Sequence, residues 1–231
     1  MTAHKPGDPT TLNRLYGRTK GHRLRPGQQA LLDELYPALA VPEDGPVTGR
    51  ALFGDDRPLH FEIGFGSGEH LAARADLLPD HGFIGAEPFE NGMVGALQHI
   101  KDQRLPNIRL WMNDALQVLN RIPDGELSFI YLLHPDPWRK ARHSKRRMVN
   151  AGPLDLFARK LKPGGIFRLA TDHDIYCRWA LMQMAKRDDF DWMADGPDAF
   201  RKRPSGWPDS RYAAKALREG RELWFFQYRR V

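Results

Sequence analysis

Three glycines at alternate positions, Gly64, Gly66 and Gly68, follow an apolar segment carrying Leu59, Phe61 and Ile63. Glu62 stands two residues ahead of the first glycine. Glycine admits positive φ and lets the backbone approach a ligand that a Cβ would block. The residues after Glu69, Leu71-Ala72-Ala73-Arg74-Ala75, read as a helix. Strand, glycine-rich turn and helix form the layout of a nucleotide crevice. Loops that hold a pyrophosphate read G-x-G-x-x-G and aim helix N–H groups at phosphate. Here the pattern is E-x-G-x-G-x-G, and an acid so close to the loop repels phosphate and suits a cation. S-adenosylmethionine carries a sulfonium and an ammonium and no phosphate, so it meets that demand. For the glycines alone, a tight strand-to-helix turn is the competing explanation.

Four more acids follow, each just past a predicted strand: Glu87, Asp114, Asp136 and Asp172. In a doubly wound sheet, ligands bind beyond the carboxyl ends of the strands. Any one of these acids could be a helix cap or turn residue; five on one rim make a site. Glu87 lies 19 residues after Gly68, where such folds hold ribose hydroxyls. Asp114 with Ala115 is placed to meet an adenine edge. The implied ligand is adenosyl plus a positive charge.

His134-Pro135-Asp136-Pro137-Trp138-Arg139-Lys140 is the second motif. Prolines on both sides of Asp136 fix the chain and remove backbone donors. An acid beside an aromatic ring can hold a purine, the acid accepting from ring N–H groups and the ring stacking. A core Trp138 in a rigid connection is the plainer alternative. Next come Arg142, His143, Ser144, Lys145, Arg146 and Arg147, a stretch suited to phosphates, with Arg146 and Arg147 expected to make about two phosphate contacts.

The elements that must position these groups alternate. Strands are expected at Leu59–Ile63, Gly82–Ala86, Ile108–Trp111, Leu127–Leu133 and Ile166–Ala170, with Asp191–Met193 and Leu223–Tyr228 near the end. Helices are expected at Gln28–Leu39, Glu69–Leu77, Glu90–Asp102, Ala115–Asn120, Pro153–Leu161 and Ile175–Lys186. Such alternation means βαβ crossovers and a mostly parallel sheet. Residues 1–28, broken by Pro and Gly and studded with Arg and Lys, predict a mobile basic arm, and 29–231 a single domain. Residues 41–58 read as a connection rich in Pro, Gly and Asp.

The chain has 231 residues and a net charge of +6 that hides a strong polarity. Residues 30–137 carry seven basic and seventeen acidic side chains, whereas 138–147 carry six basic and none acidic. Residues 1–29 hold six basic against one acidic, and 201–231 nine against three. An acidic body with three basic segments predicts a polyanion partner, RNA or DNA, against the plainer reading of solvated surface charge. No apolar run is long enough to predict a membrane span, and the polar, basic first twenty residues lack the apolar middle of a secretion signal. Cys177 alone forms no internal disulfide, which fits a reducing cytoplasm. His173 and Cys177 lie four apart with no second pair, so no metal is expected.

Taken together, Glu62-Ile63-Gly64-Phe65-Gly66-Ser67-Gly68, Gly85-Ala86-Glu87-Pro88, Asn113-Asp114-Ala115, Pro135-Asp136-Pro137-Trp138 with Lys140 and Lys145-Arg146-Arg147, and Ala170-Thr171-Asp172 closely resemble the bacterial tRNA (guanine-N7)-methyltransferases of the variable loop, position 46. The resemblance runs from about Arg14 to the C-terminus. The PDPW-x-K…KRR block is specific to that family, whereas the glycine loop is generic to adenosylmethionine-dependent methyltransferases. It implies a class I, Rossmann-like α/β fold: a doubly wound, seven-stranded, mostly parallel sheet whose last strand is antiparallel. It implies S-adenosylmethionine as cofactor, with Glu62, Gly64, Gly66, Glu87, Asp114, Ala115 and Asp136 as contacts. Asp136 is also the implied catalytic acid. The implied substrate contacts are Lys140, Asp172 and the 142–147 stretch on tRNA, with Ser210, Arg211, Tyr212 and Ala213 matching a Thr-x-(Phe/Tyr)-Glu segment. Ala213 departs from that pattern, and Glu219 or Asp209 is the candidate replacement for the missing acid. A monomer or weak homodimer is expected. The rivals are a methyltransferase of the same fold acting on a small molecule or protein, a non-catalytic RNA-binding module and a nicotinamide oxidoreductase. The glycine spacing disfavours the last.

Overall fold

The computed structural model describes residues 15–16, 19–196, 198–208 and 211–231. Its seven strands are β1 (Leu59–Ile63), β2 (Gly82–Ala86), β3 (Ile108–Trp111), β4 (Leu127–Leu133), β5 (Leu161–Thr171), β6 (Phe190–Trp192) and β7 (Trp224–Arg230). They form one sheet in the order β3-β2-β1-β4-β5-β7-β6. β1 pairs in parallel with both β2 and β4, and β7 runs antiparallel to β5 and β6. Strand order reverses between β1 and β4, so a crevice opens past the carboxyl end of β1.

The helices are α1 (Pro26–Leu39), α2 (Gly49–Phe53), α3 (Glu69–Leu77), α4 (Glu90–Gln103), α5 (Ala115–Arg121), α6 (Ala151–Lys160), α7 (Asp174–Met184) and α8 (Arg211–Arg218). Every residue of β1 and β2 is buried, as in central strands covered by helices on both faces, the polar His60 and Glu62 of β1 included. One core cluster joins Phe61, Ile130, Phe157, Phe167 and Tyr176; a second joins Leu71, Phe83, Met93, Leu97 and Leu110.

Two expectations are refined. β5 starts five residues before Ile166, because Leu127 pairs with Leu161 and Phe129 with Ile166. Residues 162–165 loop out between those pairs, with Gly164 at φ 78°, so Pro163-Gly164-Gly165 sits inside the strand as a bulge. The connection 41–58 holds the short α2, capped by the Thr48 hydroxyl accepting from Ala51 N–H and ended by Gly54 at φ 86°. Among the described residues no helix is long and apolar enough to cross a membrane.

Candidate functional site

The rim acids converge. Glu62 is the penultimate residue of β1, Glu87 follows β2, Asp114 caps α5 after β3, Asp136 lies three residues past β4, and Asp172 follows β5. Glu62 is buried, and its Oε2 lies 2.8 Å from Nδ1 of the equally buried His70 on α3. Asp114 accepts from Leu116 N–H at 2.9 Å, and Ala115 is buried behind it. Glu87 accepts from Gly66 N–H at 2.9 Å and Phe89 N–H at 3.0 Å, so one carboxylate ties the glycine loop to the start of α4.

Burial pushes the Glu87 carboxyl above the ordinary glutamate range; its two backbone bonds oppose the shift, and the carboxylates of Asp136 and Glu62 add to it. The pocket thus concentrates negative charge, which suits a cationic ligand. A group with a raised pKa takes its proton earlier on acidification. Adenosylmethionine affinity, measured calorimetrically from pH 8 to 5, is expected to begin falling at a higher pH than an ordinary glutamate would give. Glu87→Gln is expected to bind more weakly and to flatten that dependence. An unchanged profile would mean that Glu87 takes no part in holding the ligand.

Two further glycines shape the loop. Gly64, Gly66 and Gly68 all have positive φ, at 66°, 61° and 84°. A Cβ on Gly92 would stand 2.4 Å from the Gly66 carbonyl oxygen, and one on Gly95 2.9 Å from Ser67. α4 therefore presses its bare face on the loop's own backbone. Gly92→Ala forces that backbone to shift, with overpacking that costs about 1–3 kcal/mol. Adenosylmethionine Kd is expected to rise about tenfold or more, read by calorimetry; unaltered binding would show the loop to be plastic. Glycines three apart in a helix interior are the sequence signal for such a contact.

The Pro135–Trp138 loop is held under strain. His134 and Trp138 take positive φ, at 51° and 42°, which non-glycine residues rarely adopt. His134 N–H donates to Ala170 O at 2.8 Å. Arg147 donates to Pro137 O at 3.0 Å and Trp138 O at 2.9 Å, and its guanidinium lies over the Trp179 ring. Arg147 is 5% exposed, so it clamps the loop from inside and in this conformation presents no surface to phosphate. The Arg146 guanidinium lies over both the Tyr16 and Trp138 rings, 4.8 and 4.9 Å from their centroids. Asp136, Lys140, Arg142 and Lys145 are exposed; His143 and Ser144 are half-buried. Residues Ala141–Arg146 form a 3-10 turn that displays the basic stretch.

The described residues of the basic arm make contacts with the domain. Glu90 N–H donates to Thr19 O at 3.1 Å, and Asn91 Nδ2 to His22 O at 3.0 Å. A Cβ on Gly21 would collide with Asn91 and Phe89. Tyr16, in the same arm, sets its ring edge-on to Trp138 with centroids 6.0 Å apart.

Beyond Asp136 a cavity of about 250 Å3 opens, lined by Asp172, Arg221, His134 and Tyr212 among others. His134 Nδ1 lies 3.3 Å from Asp172 Oδ1, and Arg221 forms an ion pair with Asp172. Burial, with Arg221 and Arg203 nearby, lowers the His134 pKa to about 4, so its ring is neutral at physiological pH. Tyr212 faces that ring at 6.2 Å and 26°, and a Cβ on Gly66 would stand 2.8 Å from Tyr212. Tyr212 therefore joins the cavity to the glycine loop. Ala213 is buried in α8; Arg211 opens that helix. Ser210 and Asp209 lie outside the described residues. Glu219 accepts from Arg221 at 2.6 Å. A larger, apolar cavity of about 350 Å3 between α1 and α4 holds none of the rim acids. Among the described residues no three His, Cys, Asp or Glu side chains are arranged to hold a metal ion.

A family model described as a putative methyltransferase matches residues 56–226. A tRNA (guanine-N(7)-)-methyltransferase of Sphingopyxis alaskensis is 65% identical over the whole of both chains. The chain belongs to the tRNA (guanine-N7)-methyltransferase family. The enzyme of that name from Novosphingobium aromaticivorans is 61% identical over the whole of both chains, and that from Rhodospirillum rubrum 46% over 97% of this chain and 91% of its own. Among solved structures, an rRNA methylase from Streptococcus thermophilus matches with TM-score 0.51 and 14% identity, over 77% of this chain and 89% of its own. The antibiotic-resistance methyltransferase Kmr matches with TM-score 0.51 and 17% identity, over 83% and 97%. These two likenesses concern the fold, the seven-stranded class I methyltransferase sheet.

Proposed function

We propose that this family member moves a methyl group from S-adenosylmethionine to N7 of a guanine in tRNA, at position 46 of the variable loop. The observation that carries the reading is the convergence of Glu62, Glu87 and Asp136 on one crevice, beside a cavity with both donors and acceptors. The donor set fits the cofactor: Glu87 for ribose hydroxyls, Asp114 for the adenine amine, Glu62 and Asp136 toward its positive charges. S-adenosylmethionine would supply an electrophilic methyl on a positively charged sulfur.

Guanine N7 has an in-plane lone pair and no proton, so the chain need provide no base. Its task is to align N7 with the methyl and to stabilise positive charge as it reaches the purine. Asp136 stands between crevice and cavity, where its carboxylate favours that charge. Asp172 accepts from the purine's N–H groups. Exposed Arg142 and Lys145 hold tRNA phosphates, and the docked arm adds Lys20 and Arg23.

The deciding experiment is incubation of the protein with unmodified tRNA and methyl-labelled adenosylmethionine, followed by mapping of the label. The expected product is 7-methylguanosine in the variable loop. Label on another nucleotide would contradict the assigned position, and none on tRNA would favour a small-molecule enzyme or a non-catalytic RNA-binding module.

A further inference from the structure

We propose that Arg221 is the residue that distinguishes guanine from adenine, by donating to the purine's O6 beside the reacting N7. This rests on reading the cavity as a guanine site.

Beside N7, guanine carries the acceptor O6, then the donor N1–H; adenine carries an amino donor there, then the acceptor N1. A wall that reads guanine must offer a donor next to an acceptor, in that order. Arg221 and Asp172 place a donor beside an acceptor on the wall of a cavity that Asp136 also lines. Against adenine the same pair would set donor to donor and acceptor to acceptor.

Arg221 is anchored as a recognition group must be. It follows α8, its N–H bonding Ala216 O at 2.9 Å. Nε and Nη2 donate to Glu219 at 3.1 and 2.6 Å. Two carboxylates, Asp172 and Glu219, thus flank one guanidinium, which donates a hydrogen bond without leaving a net positive wall beside a purine gaining charge. The other cations here are less suited. Arg139 is exposed and less firmly anchored, its Nε donating to His173 at 2.8 Å, and Lys215 is 59% exposed on a flexible stem, 3.9 Å from Glu219.

The test pairs Arg221→Ala and Arg221→Lys with tRNA carrying guanosine or 6-thioguanosine at the methylated position, a sulfur there being a poor acceptor. The readout is kcat/KM for methyl transfer, with adenosylmethionine binding measured alongside. The expected result is about a tenfold loss for wild type on 6-thioguanosine and a similar loss for Arg221→Ala on guanosine. The doubly altered pair is expected to lose little more, because both changes remove one contact. Arg221→Lys recovers part of the loss on guanosine only. Losses that multiply, or a thio-substrate as good as guanosine for wild type, would overturn the proposal. Wild type inactive on guanosine tRNA would instead remove the guanine-site reading itself, and this inference with it. Should Arg221→Ala fail to bind adenosylmethionine, Arg221→Lys carries the comparison: sensitivity to the sulfur equal to wild type in that variant would also overturn it.

Discussion

Asp136→Asn is expected to lose turnover by about a hundredfold or more while keeping adenosylmethionine Kd within about tenfold, about 1.4 kcal/mol. The substitution keeps the shape of the side chain and one acceptor oxygen; it removes the charge and turns the other oxygen into an NH2 donor. The flanking prolines and the Arg147 clamp hold the loop in place in either case. The charge matters because no proton is taken from N7; what changes along the reaction is where positive charge sits. With Glu62, Glu87 and Asp114 proposed as further cofactor contacts, binding is expected to survive. Single-turnover rates at saturating tRNA isolate the chemical step. Near-normal turnover would remove Asp136 from the chemistry and leave it as a loop residue.

Arg142→Ala with Lys145→Ala is expected to lower tRNA affinity and flatten the log–log salt dependence by about 1.5, the share of two phosphate contacts. Both side chains are exposed on the 3-10 turn. Arg147→Ala, in the same charge run, is expected to leave the slope alone. It strips two loop carbonyls of their donor, at about 1–3 kcal/mol, and so lowers Tm and turnover. Filter binding from low to high salt separates the variants. Equal slopes for the double variant and wild type would place RNA on another face.

The contrast between Arg142 and Arg147 marks where sequence stops informing. The six basic residues of 138–147 are alike in type, and a charge count treats them alike. Which one turns inward depends on two carbonyls exposed by an unusual backbone at Trp138, a tertiary fact. The rim acids were legible for the opposite reason. In a parallel sheet each strand end reaches the same edge, so an acid just past each strand has its place set by topology. The glycine loop was legible because its backbone conformation depends on residue type.

Gly92 and Gly95 carried a weaker signal, two helix-breaking residues three apart on one helix. Arg221 carried none: it reaches Asp172 from forty-nine positions away, with α7, β6 and α8 between them in the chain. His134 belongs to the motif, yet its burial beside Arg221 and Arg203, which lowers its pKa and leaves the ring neutral, is set by the fold. The arm's docking likewise depends on Gly21 fitting against Phe89 and Asn91, which composition does not encode.

The most direct test of the common crevice is a crystal structure with S-adenosylhomocysteine bound. The ribose is expected on the Glu87 carboxylate, the adenine at Asp114 and Ala115, and the sulfur directed past Asp136 toward the cavity of His134, Asp172 and Arg221. A ligand bound elsewhere, or one whose sulfur faces away from that cavity, would contradict the account.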